Sequence, residues 1–221
     1  PSILIGLLEG GLEQVVWMDA DIIVARPLGE LFAGMGPDAL GVADDAYRSR
    51  NVGSRIRAEA FGLDAPTELG FTVNTCILRA TQRHLGLLRD WLGLMRGEAY
   101  QQGKQTSWET RPFHLLGDQD VLNAVLGARE GSDRAMVRIR SGRDFAHCFL
   151  DIDYPLGDRI AAALSGRMRL YHAHRAKLWL RNRNGKPLVF SEAVSPYRIA
   201  AKRHAADLEA GERTWLEQDA P

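Results

Sequence analysis

Two aspartates interrupt an apolar run: Val15-Val16-Trp17-Met18-Asp19-Ala20-Asp21-Ile22-Ile23-Val24. Valine, isoleucine and tryptophan suit a pleated, half-buried surface. The run therefore predicts a buried strand over residues 15–18, and the apolar pattern resumes over 22–24. Two acids in this place could form a solvated turn, but acids that close a buried strand are unusual in a mere turn. In an extended segment, positions two apart share a face. Asp19 and Asp21 are thus expected to reach one ion, at the carboxyl edge of a sheet where α/β proteins bind ligands. Hard oxygen donors suit Mg²⁺ or Mn²⁺, which also bridge phosphates.

The rest of the chain alternates helix and strand signals. Ser2 can cap a helix whose face is Ile3, Leu4, Leu7 and Leu8, with Gly10-Gly11 ending it. Pro27 blocks pairing, and residues 28–32 form a short helical turn. Residues 44–69 are polar and aperiodic, so they predict a long loop with one helix near 55–61; long loops often serve as substrate lids. Phe71-Thr72-Val73-Asn74-Thr75-Cys76-Ile77-Leu78 is β-branched and predicts a strand. Leu85, Leu88, Leu92 and Met95 share a helix face, and residues 97–112 read as loop. Asp118 can cap a helix carrying Val121, Leu122, Val125 and Leu126, with Gly127 closing it. Strands are expected at 137–139 and 170–172, short helices near 160–164, and a charged helical tail near 195–216. Alternation of this kind implies an α/β fold with a mixed, helix-flanked sheet.

Lys+Arg and Asp+Glu both number 28, so the 221-residue chain has no net charge, which argues against a nucleic-acid partner. No apolar run approaches the ~20 residues that span a bilayer, and residues 3–8 lack the basic lead of a signal peptide. Cys76 and Cys148 are the only cysteines, and they read as small buried hydrophobes of a reducing compartment. A cytoplasmic enzyme is expected, free or peripheral at the inner face of a membrane.

Residues 15–24 resemble the strand and D-x-D segment of GT-A-fold glycosyltransferases, closest to glycosyltransferase family 8 and the bacterial nucleotide-diphospho-sugar transferases. Further resemblances follow in order. The strand at 71–78 is similar to the family's strand with an Asn near the donor sugar. Gly117-Asp118-Gln119-Asp120-Val121-Leu122-Asn123 is similar to its D-Q-D helix start, and His172-Ala173-His174-Arg175-Ala176-Lys177-Leu178-Trp179 to its H-x-x-G-x-K-P-W segment. The family's Gly and Pro in that segment are Arg175 and Leu178 here.

The resemblance implies a GT-A-like, Rossmann-like sheet and a metal-dependent, retaining hexosyltransferase. It implies Asp19, Asp21 and His172 as ligands of Mn²⁺ or Mg²⁺, with His172 preferred over His174. It places Asp118 and Gln119 beneath the anomeric carbon as catalytic residues. Asn74, Asp120, Lys177 and Trp179 become substrate-binding residues, Lys177 facing the diphosphate. Asp44 and Asp45 stand where the family often contacts the donor sugar, though a solvated loop is the stronger expectation for them. Partners are a nucleoside-diphosphate sugar and an acceptor: glycan, lipid-linked sugar or protein. Residues 1–190 would form the metal- and sugar-binding part, and 191–221 a helical tail. Only fourteen residues precede the strand at 15–18. The family's N-terminal nucleotide-binding region is therefore expected to be missing, and that strand to have an unfilled neighbour position.

Other features read as structural. Asp151 and Asp153 form a second D-x-D beside the turn signal Tyr154-Pro155, and Arg198, Lys202 and Arg203 suit a solvated helix face. One rival is a phosphohydrolase of the haloacid dehalogenase type, with Asp19 as nucleophile and Asp21 as general acid. Another is a truncated, non-catalytic homologue.

Overall fold

The computed structural model describes residues 1–45, 53–64, 67–129, 135–140, 145–147, 157, 165, 168–172 and 200. The chain divides into two compact units: Pro1–Met18 with Phe32–Ile139, and Asp19–Leu31 with Arg140–Pro221. The boundary expected at residues 190 and 191, the helix near 160–164, the second D-x-D and, apart from residue 200, the charged tail lie outside the described residues. No helix among the described residues is long and apolar enough to cross a membrane.

The first unit is built on a four-stranded mixed sheet: β1 (Gln14–Met18), β4 (Val73–Thr81), β3 (Leu40–Asp44) and β5 (Met136–Ile139), in that spatial order. β1 and β3 run antiparallel to β4, whereas β5 runs parallel to β3. β4 is the spine. Eight of its nine residues are buried, as expected for a strand with neighbours on both edges and side chains packed on both faces.

β3 is buried along its whole length, yet its sequence Leu-Gly-Val-Ala-Asp carries little β signal. Gly41 explains part of this, since a Cβ there would lie 3.0 Å from both Arg79 Cβ and Met35 Sδ. A larger residue there would press on the neighbouring strand and on the Met35 side chain.

β1 corrects the expectation of a buried strand. Val15 is buried, but Val16 and Trp17 are each 39% exposed. Among the described residues β1 stands first in the strand order and pairs with β4. Apolar composition identified the strand; burial depends on what covers it.

Helices pack on this sheet. α1 (Ser2–Glu9) turns Leu4, Ile5 and Leu8 inward while Ile3 and Leu7 stay exposed, a face rotated from the predicted one. Pro1 is its N-cap, so Ser2 does not cap it. Gly11 takes φ +100° just beyond the helix end, a conformation that favours glycine. α4 (Leu85–Arg96) buries Leu87, Leu88 and Trp91, with Leu85, Leu92 and Met95 at the margin of the core. α5 (Glu98–Gly103) forms in a segment expected to be loop, anchored by buried Tyr100. α6 (Asp118–Gly127) is buried from Asp120 to Gly127, which makes it the unit's central helix.

α3 (Ser54–Ala60) falls where one helix was expected, near 55–61, within the polar stretch 44–69. Glu68 accepts from Ser54 N at 3.0 Å and Arg55 N at 3.4 Å, capping the helix start. A Cβ on Gly127 would lie 2.8 Å from Ser54 O, so α3 and α6 touch backbone to backbone. Arg57 closes the joint with a buried ion pair to Asp120.

The second unit contains a three-stranded sheet in the order β2 (Ile22–Val24), β7 (Leu170–His172), β6 (Phe145–His147). β7 is antiparallel to β2 and parallel to β6. Ala25 N donates to Arg169 O at 2.8 Å, extending the ladder by one bond. Arg169 also holds Pro27 O at 3.0 Å and pairs with Glu30 of the short helix α2 (Gly29–Phe32), tying the segment after β2 back to this sheet.

Candidate functional site

The acid pair sits in a turn, not in the extended segment expected. Ile22 N donates to Asp19 O at 3.2 Å, closing a four-residue turn with Ala20 and Asp21 at its corner. The carboxylates nevertheless converge, because β7 brings a third group to them. His172 pairs in register with Ile22 on one side and His147 on the other, so the middle strand fixes its backbone. Its side chain is 3% exposed. Nε2 lies 3.3 Å from Asp21 Oδ1 and 3.7 Å from Asp19 Oδ2.

Candidate ligand atoms of all three residues lie within 4.8 Å of one another. Two ligands at roughly 2.0–2.2 Å from a small divalent ion are about 3 Å apart when cis and a little over 4 Å when trans. The 3.7 and 3.3 Å separations of His172 Nε2 from the Asp19 and Asp21 carboxylates fall in that range, so the ring nitrogen and either acid can bind one ion. Two carboxylate oxygens and one imidazole nitrogen also suit Mn²⁺ or Mg²⁺ chemically, the nitrogen leaning toward Mn²⁺.

A second polar cluster lies in the first unit, where the end of β3, the start of β4 and the start of α6 come together. Gly117, with extended backbone, is the N-cap of α6, so Asp118 is the first helical residue and not the predicted cap. The Asp118 carboxylate accepts from Gln119 N at 2.8 Å through Oδ1, with Thr75 Oγ1 3.5 Å away. Trp91 Nε1 donates to Asp118 O at 2.9 Å, pinning the helix start to α4. Gln119 Nε2 donates to Asp45 Oδ2 at 2.6 Å. Asn74 is buried, and its Oδ1 accepts from Cys76 N at 2.8 Å.

Asp120 takes an architectural place. Its Oδ1 accepts from Arg57 Nε at 2.9 Å and its Oδ2 from Gly117 N at 3.1 Å. Burial pushes its carboxyl above the ordinary carboxylate value, against the pull of the Arg57 cation. Lys177 and Trp179 lie outside the described residues.

Sequence reading passes over the roles of three residues in this cluster. Asp44 is buried at the end of β3, where Arg138 Nε and Nη2 bind its Oδ2 at 2.9 and 2.6 Å. Asp45 holds Gln119, so the solvated loop expected for both acids is not what forms. Asn123 docks α6 on β4: Oδ1 accepts from Val73 N at 2.9 Å, and Nδ2 donates to Val73 O and Gln119 O, both at 2.8 Å. The D-Q-D resemblance already contained Asn123, but the partner strand lies fifty residues away in sequence and carries no local signal.

No protein-family model matches the chain, and none of the curated proteins matches it.

Proposed function

We propose that the chain is the cation- and sugar-binding part of a glycosyltransferase moving a sugar from a nucleoside-diphosphate sugar to an acceptor hydroxyl. The convergence of Asp19, Asp21 and His172, held by a short turn and the middle strand of a sheet, carries this reading. A divalent ion bound there supplies positive charge to the departing diphosphate. Lys177 adds a second positive charge in this reading. The resemblance gives Gln119 the positive character that grows at the anomeric carbon, and Asn74 a sugar hydroxyl. Asp118 borders the same cluster and keeps Gln119 in place through its backbone N–H. The acceptor is a glycan, a lipid-linked sugar or a protein, and a departing diphosphate oxygen takes its proton.

Titration calorimetry with Mn²⁺, followed by UDP- and GDP-sugars in its presence, tests the reading. The expected outcome is a single Mn²⁺ site lost in Asp19→Ala, Asp21→Ala and His172→Ala, and a nucleotide-sugar affinity that depends on the metal. Turnover of an aryl phosphate with no nucleotide sugar present would point instead to the phosphohydrolase chemistry of Asp19 and Asp21. Sugar transfer with inversion would correct the expected retention.

A further inference from the structure

A glutamine amide has a donor end and an acceptor end of nearly the same shape, and its neighbours decide which faces a ligand. The neighbour of Gln119 is a carboxylate, which in its ionised form only accepts. At 2.6 Å from Asp45 Oδ2 the amide must present Nε2. Turned the other way, two electron-rich oxygens would meet at that distance. We infer that Asp45 is a positioning residue that fixes the orientation of the Gln119 amide, so that Oε1 faces away from it toward whatever ligand enters.

Both partners are held tightly enough for this to work. Gln119 is bonded at both peptide groups: its N–H to Asp118 Oδ1 and its C=O to Asn123 Nδ2, each at 2.8 Å. Only its side-chain torsions remain. Asp45 is fixed from the other side. The pairing of β3 with β4 shifts register between Val42 and Ala43, an irregularity that re-aims the residues after it. Asp45 N then donates to Thr72 O at 2.8 Å. Arg138 binds Asp44 next door, and its guanidinium lies 4.8 Å from the centre of the Phe71 ring. Arg138 thus clamps the end of β3 and the approach to β4 at once.

The chemistry of the ligand follows. An amide oxygen accepts hydrogen bonds and attracts positive charge, and it repels an anion. The group that meets Gln119 must therefore be a hydroxyl, another donor, or a carbon gaining positive character. A phosphate is excluded from that position. This rests on the glycosyltransferase reading only in naming the ligand as the sugar end of the donor; the orientation of the amide does not depend on it.

The test has a spectroscopic arm and a kinetic arm. In protein labelled with ¹⁵N-glutamine, Gln119→Ala assigns the side-chain amide of Gln119. The expected native signal is a resolved pair with one proton shifted downfield by the carboxylate. Asp45→Asn should move that pair to the position of solvated glutamines while backbone amides elsewhere stay put. Arg138→Met should shift it part of the way, and Arg138→Lys less. An unchanged Gln119 pair in Asp45→Asn overturns the inference, as does a solvated position in the native protein. If Asp45→Asn does not fold, the swapped pair Asp45→Asn with Gln119→Glu serves, since the amide placed at position 45 can donate to the carboxylate placed at position 119. Refolding by the swap supports the inference, and continued failure to fold overturns it. In the kinetic arm, Asp45→Asn should lower turnover of a nucleotide sugar about 10²-fold, the cost of a misplaced contact, with little change in KM. An equal or larger change in KM would also overturn it. A native amide signal that responds as expected, with no binding or turnover of nucleotide sugars, would refute the glycosyltransferase reading and leave the orientation standing.

Discussion

Asp19 and Asp21 meet a histidine, whereas Asp44 and Asp120 meet arginines. That difference separates two acidic regions that look alike in the sequence. In the three-stranded sheet, two carboxylates and a neutral-capable ring nitrogen share one small space. Each can donate a lone pair to a metal ion, and none brings a fixed positive charge. In the four-stranded sheet, the acids at the ends of β3 and α6 are matched with guanidinium groups that stay protonated at any ordinary pH. Their charge is already balanced, so they join elements together. Asp45 stands between the two cases: it meets an amide and orders it. What an acid can do is set by the partner the fold brings to it.

The sharpest way to break this comparison is to remove an arginine from the architectural region. Arg57 and Asp120 are 5% and 11% exposed at their side chains, and their closest contact is 2.9 Å. Arg57→Met leaves a buried carboxylate without its cation. The expected cost is about 3–5 kcal/mol of stability, read as a lower midpoint in urea. Arg57→Met with Asp120→Leu should recover much of it, because replacing both partners removes the stranded charge. A loss below about 1 kcal/mol would mean that Asp120 is not architectural and that its carboxylate is available to a ligand.

The converse experiment removes an acid from the metal triad. Asp21→Ala should weaken Mn²⁺ binding at least a hundredfold, about 2.8 kcal/mol, as read by calorimetry. Asp44→Asn, the control from the arginine-paired region, should leave Mn²⁺ affinity unchanged while lowering stability. Equal Mn²⁺ binding by the native chain and Asp21→Ala would put the metal elsewhere and dissolve the distinction.

Legibility followed the range of the interactions. The strands at 73–81 and 170–172 carry β-branched and aromatic residues, so local preference and tertiary structure agree. Asp19, Asp21 and His172 were readable from type, order and resemblance, whereas the turn that joins the acids is masked by the apolar residues on either side, which read as one extended run. β3 escaped notice because Gly41 and Ala43 weaken its pattern, yet it is buried throughout, with Gly41 close against Arg79 and Met35. Arg57 and Asp120 are separated by sixty-three residues, Gln119 and Asp45 by seventy-four. Nothing local distinguishes an arginine bound for a buried carboxylate from one bound for water. The roles of Asp44 and Asp45 were hidden for the same reason, as both stand at the head of a polar stretch that reads as loop.

His84 gives the smallest and most exacting contrast, because it is a buried histidine committed to backbone. Thr81 N donates to its Nδ1 at 3.0 Å, and Asp38 O lies 3.3 Å from its Nε2. This places the proton on Nε2 and leaves Nδ1 as acceptor. A second proton would have to enter at Nδ1 and would displace the Thr81 bond. Burial depresses the imidazole below its ordinary 6.5, the nearby Arg79 adds to this, and the Asp38 carbonyl and charge oppose it. Burial likewise lowers His114, whose Nδ1 has no hydrogen-bond partner among the described residues. The sign follows from proton counting. With a depressed folded value, the unfolded chain binds more protons just below about pH 6.5, so stability rises with pH there. The stabilisation is full above about 6.5 and is lost as pH falls from there toward the folded value. His84→Asn keeps an acceptor near Thr81 N and cannot titrate. It should flatten the rise of stability with pH just below about pH 6.5 and leave the contribution of His114, whose value burial also lowers. Mn²⁺ affinity should not change, since His84 faces backbone and His172 faces carboxylates. A shift in Mn²⁺ affinity without a change in the stability slope would show that the partners of a histidine do not decide its role here.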